Sequence, residues 1–263
     1  MTNTLGFIGC GNMGGALIRA VLKTVEAKKV AVCDVNESKA KAFAEEYGVK
    51  TLGAKGTAMF AKYIVLGVKP QNMQEAVKEI APLLTENHVL ITMAAGVSMQ
   101  AIRSFAGKNL PIVRIMPNTP AALGEGMILY DTLDVSADTE QEFLEMFSMA
   151  GKMDKLPEDK IDAASALSGC GPAFVYAFAE ALADGAVECG VPRDKAAAYA
   201  AQTLLGAARM LQEYGHPADL KDAVCSPGGT TIAGIHALEK AGFRGATMDA
   251  VHAAYNRTLE LKK

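Results

Sequence analysis

Apolar positions in residues 1 to about 156 follow two alternating patterns. Nearly continuous apolar runs at 5–9, 30–33, 63–67, 89–93, 112–115 and 127–130 show little polar alternation, as strands buried on both faces of a parallel sheet do. Between them, residues 13–23, 38–47, 72–84 and 99–105 carry apolar side chains at three- and four-residue spacing, as crossover helices do. Residues 138–149 read as the last helix of this half. The pattern predicts an α/β domain built on a doubly wound, mostly parallel sheet.

From about Asp159 the strand-like runs vanish and alanine becomes abundant. Pro172 can open a helix that Gly190 ends, and Pro192 can open another that Gly215 ends. The chain therefore divides into 1–157, the sheet domain, and 158–263, an all-α domain. On the first long helix Phe174, Val175, Phe178, Leu182, Ala186 and Val187 form an apolar stripe, while Ala177, Ala181, Ala183 and Gly185 keep the other faces small. A monomer would leave much of that surface in water, so this half is expected to build a homodimer. The other reading is that the helices cover one another or only the sheet domain.

Composition then narrows the partners. At 263 residues the chain has room for two cores. No run of 18 residues is free of charged or strongly polar side chains, so no membrane span and no membrane partner are expected. Met1-Thr2-Asn3-Thr4 shows neither the basic segment nor the apolar core of an export leader. Five widely spaced cysteines, Cys10, Cys33, Cys170, Cys189 and Cys225, include no C-x-x-C pair. They read as reduced thiols in a cytoplasmic protein. A net charge of −3 without Lys/Arg tracts lacks the footprint of a nucleic-acid binder and leaves small molecules as the expected partners.

One candidate site follows the first strand. Gly9-Cys10-Gly11-Asn12-Met13-Gly14 lies at a strand-to-helix turn, and Asp34 ends the second strand 20 residues after Gly14. In this context the motif reads as a Rossmann-type dinucleotide fingerprint. Gly9 allows the tight turn, Gly11 the approach to a pyrophosphate, and Gly14 close helix–strand packing, with the helix N-terminus facing the phosphates. The plain alternative is a glycine-rich turn with a packing role. Asp34 would accept from a ribose 2′-OH and repel a 2′-phosphate, which favours NADH, while Asn36 and Lys39 keep NADPH open. Val68-Lys69-Pro70, Ala94-Ala95-Gly96 and Met116-Pro117-Asn118-Thr119-Pro120 follow other strands, at the sheet edge where a ligand binds in an open α/β sheet. Small residues in the second loop would let a nicotinamide lie against the backbone. Taken singly, each is also an ordinary loop.

The other candidate is a corner near the C-terminus, Lys221-Asp222-Ala223-Val224-Cys225-Ser226-Pro227-Gly228-Gly229-Thr230-Thr231-Ile232, followed by helical periodicity through Ile235 and Leu238. Unpartnered amides at the start of this helix, with the Thr230 and Thr231 hydroxyls, could hold a carboxylate and hydrogen-bond a second group of the same molecule. An ordinary helix cap is the plain reading. His88 begins a buried strand, His216 sits in a turn, and His236 and His252 lie on helices without a metal-ligand partner at i+4, so all four read as structural and no metal site is expected.

A dinucleotide domain joined to a helical domain with an anion-binding corner suggests a reductase or dehydrogenase for a small carboxylate. The motifs quoted above, together with Leu167-Ser168-Gly169-Cys170-Gly171-Pro172-Ala173-Phe174 and His216-Pro217, resemble the pyrroline-5-carboxylate reductase family over nearly the whole chain. The resemblance implies hydride transfer from NADPH or NADH to the C=N of 1-pyrroline-5-carboxylate, giving L-proline. It implies that Ser226, Gly229, Thr230 and Thr231 embrace the substrate, with Thr231 on the ring nitrogen and Ser226 beside it as the catalytic pair, and that Glu158 lies near the substrate. Gly9 to Gly14, Asp34, Val68, Lys69, Pro70, Ala94, Ala95, Gly96 and Asn118 would line the coenzyme site. It also implies a homodimer or a higher assembly of dimers. Two positions depart from the family: Cys170 stands where Ser is common, and Asp34 puts the family's frequent NADPH preference in question. The alternatives are another imine or β-hydroxyacid reductase, for which no lysine acid is evident, and a non-catalytic dinucleotide sensor, which has no use for the carboxylate corner.

Overall fold

The computed structural model describes residues 4–261. The reading of Met1–Asn3 and of Lys262–Lys263 lies outside the described residues. By contacts the chain forms two units, Met1–Cys170 with Ala254–Lys263, and Gly171–Ala253.

Among the described residues the first unit has eight strands: β1 (Leu5–Ile8), β2 (Val30–Cys33), β3 (Lys50–Thr51), β4 (Tyr63–Leu66), β5 (Val89–Thr92), β6 (Ile112–Met116), β7 (Gly126–Leu133) and β8 (Gly151–Lys155). They form one sheet in the order β3-β2-β1-β4-β5-β6-β7-β8. Its helices are α1 (Asn12–Val21), α2 (Glu37–Tyr47), α3 (Ala54–Phe60), α4 (Met73–Ile80), α5 (Met99–Ala106), α6 (Ala137–Phe147) and α7 (Glu158–Ser168).

Successive strand residues enter two different cores, because side chains alternate across the sheet. Phe7, Val65, Ile91 and Val113 join Leu17 and Ile18 of α1, Phe43 of α2 and Phe143 and Phe147 of α6. Their neighbours Ile8, Leu66, Leu90 and Ile112 join Ala58 of α3, Met73 and Val77 of α4 and Ile102 of α5. Burial on both faces is what made the strands read as continuous apolar runs.

Two strands and one helix escape the hydrophobic pattern. β3 is two exposed residues on the sheet edge, and β8 alternates Lys152, Met153, Asp154 and Lys155 beside β7. Neither buries a run long enough to be seen. α3 is only seven residues long. The sheet is otherwise parallel, but β7 runs antiparallel to β6 because residues 117–125 reverse the chain through a short 3-10 turn with no crossover helix.

α7 packs on β6 and β7 through Ile161, Met116 and Leu129. The same contact buries an ion pair: Arg114 of β6 donates from Nη2 to Asp162 Oδ1 of α7 at 2.6 Å, with side chains 3% and 2% exposed. Arg114 Nη1 lies 3.3 Å from Glu158 Oε1. These contacts group α7 with the sheet, so the compact units part at 170/171, whereas the composition changes near 157/158.

The second unit contains α8 (Gly171–Glu188), α9 (Arg193–Tyr214), α10 (Pro217–Ala223), α11 (Thr230–Lys240) and the start of α12 (Phe243–Leu261). α8 and α9 pack closely because the contact is made by Ala183, Ala196 and Ala200, the buried alanines of this unit. Tyr176, Tyr199, Met210, Tyr214 and Met248 stay exposed. By length and composition alone, Glu158–Glu188, which spans α7 and α8, is apolar and long enough to cross a membrane, with a mean hydropathy of 1.3 in an 18-residue window. Residues 163–179 carry no charge, and Asp162 and Glu180 bound that run. Gly169 and Cys170, in turn conformation, separate the two helices along the chain.

Replacing Arg114 by Met should cost about 3–5 kcal/mol, because Asp162 would then be buried without its cation. Urea unfolding at fixed protein concentration measures this, and a loss below about 1 kcal/mol would mean that the pair is not needed.

Candidate functional site

In the strand order, β1 and β4 are adjacent and the chain leaves them in opposite directions, which opens a crevice beyond their carboxyl ends. The turn after β1 enters that crevice. Gly9 has φ +111°, a backbone conformation that L side chains rarely adopt, and its N–H donates to Cys33 O at 2.7 Å. A Cβ on Gly9 would fall on the Gly67 carbonyl, one on Gly14 would fall on the Gly9 carbonyl, and one on Gly67 would sit 2.7 Å from that same Gly9 oxygen. Gly11 differs from these three. No protein atom lies within 4 Å of a Cβ added there, so its missing side chain leaves open space beside the backbone.

The first bond of α1 runs from Gly15 N to Gly11 O at 2.7 Å. The amides of Asn12, Met13 and Gly14 thus precede the first intrahelical donor and lie at the positive end of the helix. An open cradle, free amides and a positive helix end fit the diphosphate of a dinucleotide.

Asp34 closes one side of this turn. Its Oδ2 accepts from Cys10 N at 2.7 Å and its Oδ1 from Asn36 N at 2.9 Å. The Cys10 thiol donates to Cys33 O at 3.5 Å. Burial, with the Asp34 and Cys33 charges adding to it, pushes the Cys10 thiol up to about 12, so it remains protonated and serves packing.

Along the same edge, Lys69, Pro70 and Ala95 are exposed, Ala94 is buried, Val68 and Gly96 are half-buried, and Gly96 has φ +76°. A cavity of about 500 Å³ is lined by Gly96, Val97, Ser98, Arg114, Glu158 and Asp159. Glu158 is held in its wall. Its Oε1 accepts from Met99 N at 2.7 Å, capping the start of α5, and its own N–H donates to Asp131 Oδ2 at 2.7 Å. Asn118 is committed in the same way, with Nδ2 donating to Ser168 O at 2.9 Å and Oδ1 accepting from Met127 N at 3.0 Å. Both side chains therefore hold backbone in position. Sequence reasoning missed Arg114, although an arginine within the apolar run Ile112-Val113-Arg114-Ile115-Met116 signals a buried countercharge.

The second unit holds the corner. Pro227 and Gly228 (φ +68°) form the middle of a tight turn closed by Gly229 N donating to Ser226 O at 3.0 Å. A Cβ on Gly229 would fall 2.4 Å from the Ser226 hydroxyl and 3.1 Å from its carbonyl oxygen, so a side chain there would force the hydroxyl to turn away. Gly229 caps α11 with extended backbone and without a side-chain cap. The amides of Thr230, Thr231 and Ile232 precede the first intrahelical donor, Ala233. Ser226, Thr230 and Thr231 are exposed here. Lys221 pairs with Asp222, and that hydrogen bond raises its pKa.

Of the histidines, His88 is buried, with Nδ1 receiving Thr85 N at 2.9 Å and Nε2 3.1 Å from Ala58 O. His216 lies 3.6 Å from Asp219, and His236 and His252 are exposed on helices. Among the described residues no group of three or more His, Cys, Asp or Glu could hold a metal ion.

Comparison with known proteins bears on both units. A family model described as pyrroline-5-carboxylate reductase dimerisation matches residues 158–261, and one described as NADP oxidoreductase, coenzyme F420-dependent, matches 4–96. The chain is 40% identical to pyrroline-5-carboxylate reductase of Pisum sativum over 263 residues, 98% of this chain and 96% of the relative. It superposes on a pyrroline-5-carboxylate reductase structure from Coxiella burnetii with a TM-score of 0.91 at 33% identity, covering all of both chains. The Plasmodium falciparum pyrroline carboxylate reductase, solved with NADP bound, gives a TM-score of 0.90 at 29% identity, covering 100% of this chain and 99% of that one.

Two glycine substitutions separate folding from coenzyme binding. Gly11→Ala should change stability by less than about 1 kcal/mol, since nothing surrounds it, yet weaken dinucleotide binding about tenfold or more by intruding on the cradle. Gly14→Ala, which strikes the Gly9 carbonyl, should cost about 1–3 kcal/mol of stability. Thermal unfolding and calorimetric titration with dinucleotide report the two effects, and tight binding by Gly11→Ala would remove Gly11 from the site.

Proposed function

The chain belongs to the pyrroline-5-carboxylate reductase family, and from that membership we propose how its own residues serve the reaction. It is an NAD(P)H-dependent oxidoreductase that reduces the C=N bond of 1-pyrroline-5-carboxylate to proline, the last step of proline synthesis. The reduced nicotinamide, when bound, supplies the hydride to the imine carbon. The turn from Gly9 to Gly14 would hold the diphosphate, and Asp34 the adenosine ribose. Val68, Lys69 and Pro70 would follow the crevice edge, with Ala94, Ala95 and Gly96 presenting small surfaces toward the nicotinamide. Asn118 would act at one remove, by holding the backbone of residues 127 and 168.

The observation that carries the substrate assignment is the corner at 226–231. A cyclic imino acid presents one carboxylate and one ring nitrogen. Gly229 N closes the turn onto Ser226 O, the amides of Thr230 and Thr231 that follow it suit the carboxylate, and the Thr231 hydroxyl, with Ser226, suits the nitrogen. A protonated imine is already electrophilic, so the site needs orientation and a hydrogen-bond partner for nitrogen more than a strong acid. That matches a corner rich in amides and hydroxyls. Glu158 would contribute by setting the wall of its cavity, with its carboxylate fixed by Met99 N and Arg114.

We read residues 1–157 as the coenzyme domain and 158–263 as the substrate-binding and dimerisation domain. Support for a homodimer comes from the family model over 158–261 and from the exposed Tyr176, Tyr199, Met210 and Tyr214. A cytoplasmic location is supported by five scattered free cysteines.

Thr231→Ala should lower kcat about 10²-fold while leaving dinucleotide affinity within about twofold, measured by coenzyme oxidation at 340 nm and by titration. Equal loss of both would make the corner structural. Oxidation unaffected by added racemic pyrroline-5-carboxylate would refute the activity itself. Sedimentation should return at least twice the protomer mass.

A further inference from the structure

Resting on the reductase reading, we infer that this chain selects NADH over NADPH and that Asp34, pinned between two backbone amides, is the residue that selects. Each Asp34 oxygen accepts one backbone N–H, from Cys10 at 2.7 Å and from Asn36 at 2.9 Å. Each carboxylate oxygen keeps a further lone pair for a ribose hydroxyl, which is a donor. A 2′-phosphate is a dianion with acceptors only. It meets at Asp34 the wrong charge and no hydrogen.

Swinging the carboxylate aside would take the acceptor from Cys10 N, a part-buried amide of the fingerprint turn itself. The surroundings act in the same direction. Lys41, one turn into α2, is paired with Glu37 at 3.0 Å, so Glu37 places a second carboxylate in this segment and occupies a cation. Val35, next to Asp34, is fully exposed at 105% and offers an apolar face for an adenine ring. Lys39 is the neighbouring cation that would answer a 2′-phosphate if one were accommodated. The Plasmodium relative, by contrast, was solved with NADP bound.

Calorimetric titration of the full-length protein with NAD⁺ and NADP⁺, in the absence of substrate, tests the assignment. NAD⁺ should bind about 10- to 100-fold more tightly than NADP⁺. Asp34→Ser should narrow that ratio at least about tenfold. Asp34→Asn, which keeps the shape and one amide acceptor but removes the charge, should narrow it as well, and thermal unfolding of both variants establishes that the turn has survived. Equal or tighter binding of NADP⁺ by the unmodified protein would overturn the inference, as would an unchanged ratio in both variants. So would a preference for NADP⁺ that disappears in Lys39→Ala. Substrate-stimulated oxidation is read separately with each coenzyme. A chain that favours NADPH and still reduces the imine refutes the selection alone, whereas selective NADH binding with no response to the imine refutes the reductase reading.

Discussion

Three glycines let the backbone close on itself at the centre of the sheet, and the coenzyme crevice depends on that closure. The Gly9 carbonyl leaves no room for a Cβ on either Gly14 or Gly67, and the Gly67 carbonyl leaves none for a Cβ on Gly9. With β1 and β4 this close, Gly67 N reaches Ile8 O at 2.8 Å and Gly9 N reaches Cys33 O at 2.7 Å. The turn is thereby tied to the strands on both of its sides. α1 then starts where its unpaired amides face the opening, and Cys10 N is left aimed at Asp34. One steric condition so fixes the phosphate cradle and the acidic side chain together.

A second constraint, electrostatic in kind, secures the other side of the first unit. Arg114 lies in the middle of a buried strand and must find negative charge there, since an unpaired cation in an apolar sheet is costly. Asp162 and Glu158 of α7 supply it. Glu158 also caps α5 through Met99 N, so a single carboxylate links β6, α5 and α7 around the cavity that follows β5. Such a network contributes less through net stability than through position: it determines where the loop at 96–98 lies relative to α7.

The corner at 226–231 follows the same principle of backbone closure on a smaller scale. Pro227 presets the turn, Gly228 takes the left-handed conformation, and Gly229 leaves space for the Ser226 hydroxyl. The helix then begins with exposed amides and two threonines. All of this is local, and local chemistry is readable from a single sequence. The coenzyme fingerprint was legible for the same reason, as were the six strands buried on both faces. β3, β8 and α3 were not, because short or edge elements bury too little to impose a period. The direction of β7 depends on a link too short for a crossover.

What the sequence determined by itself was the order of buried strands and helices, the two glycine-rich turns and the position of Asp34 at the end of a strand, since each depends on residues a few positions apart. Tertiary structure alone decided what those residues hold. Asn118 and Glu158 read along the chain as polar side chains available to a ligand. In the fold they are committed to backbone amides and carbonyls, and Arg114 turns from an anomaly in a strand into the centre of an ion-pair network. Hydrogen-bond partners separated by 44 or 59 positions leave no periodic trace, because they arise from the packing of whole elements and not from the propensities of neighbouring residues.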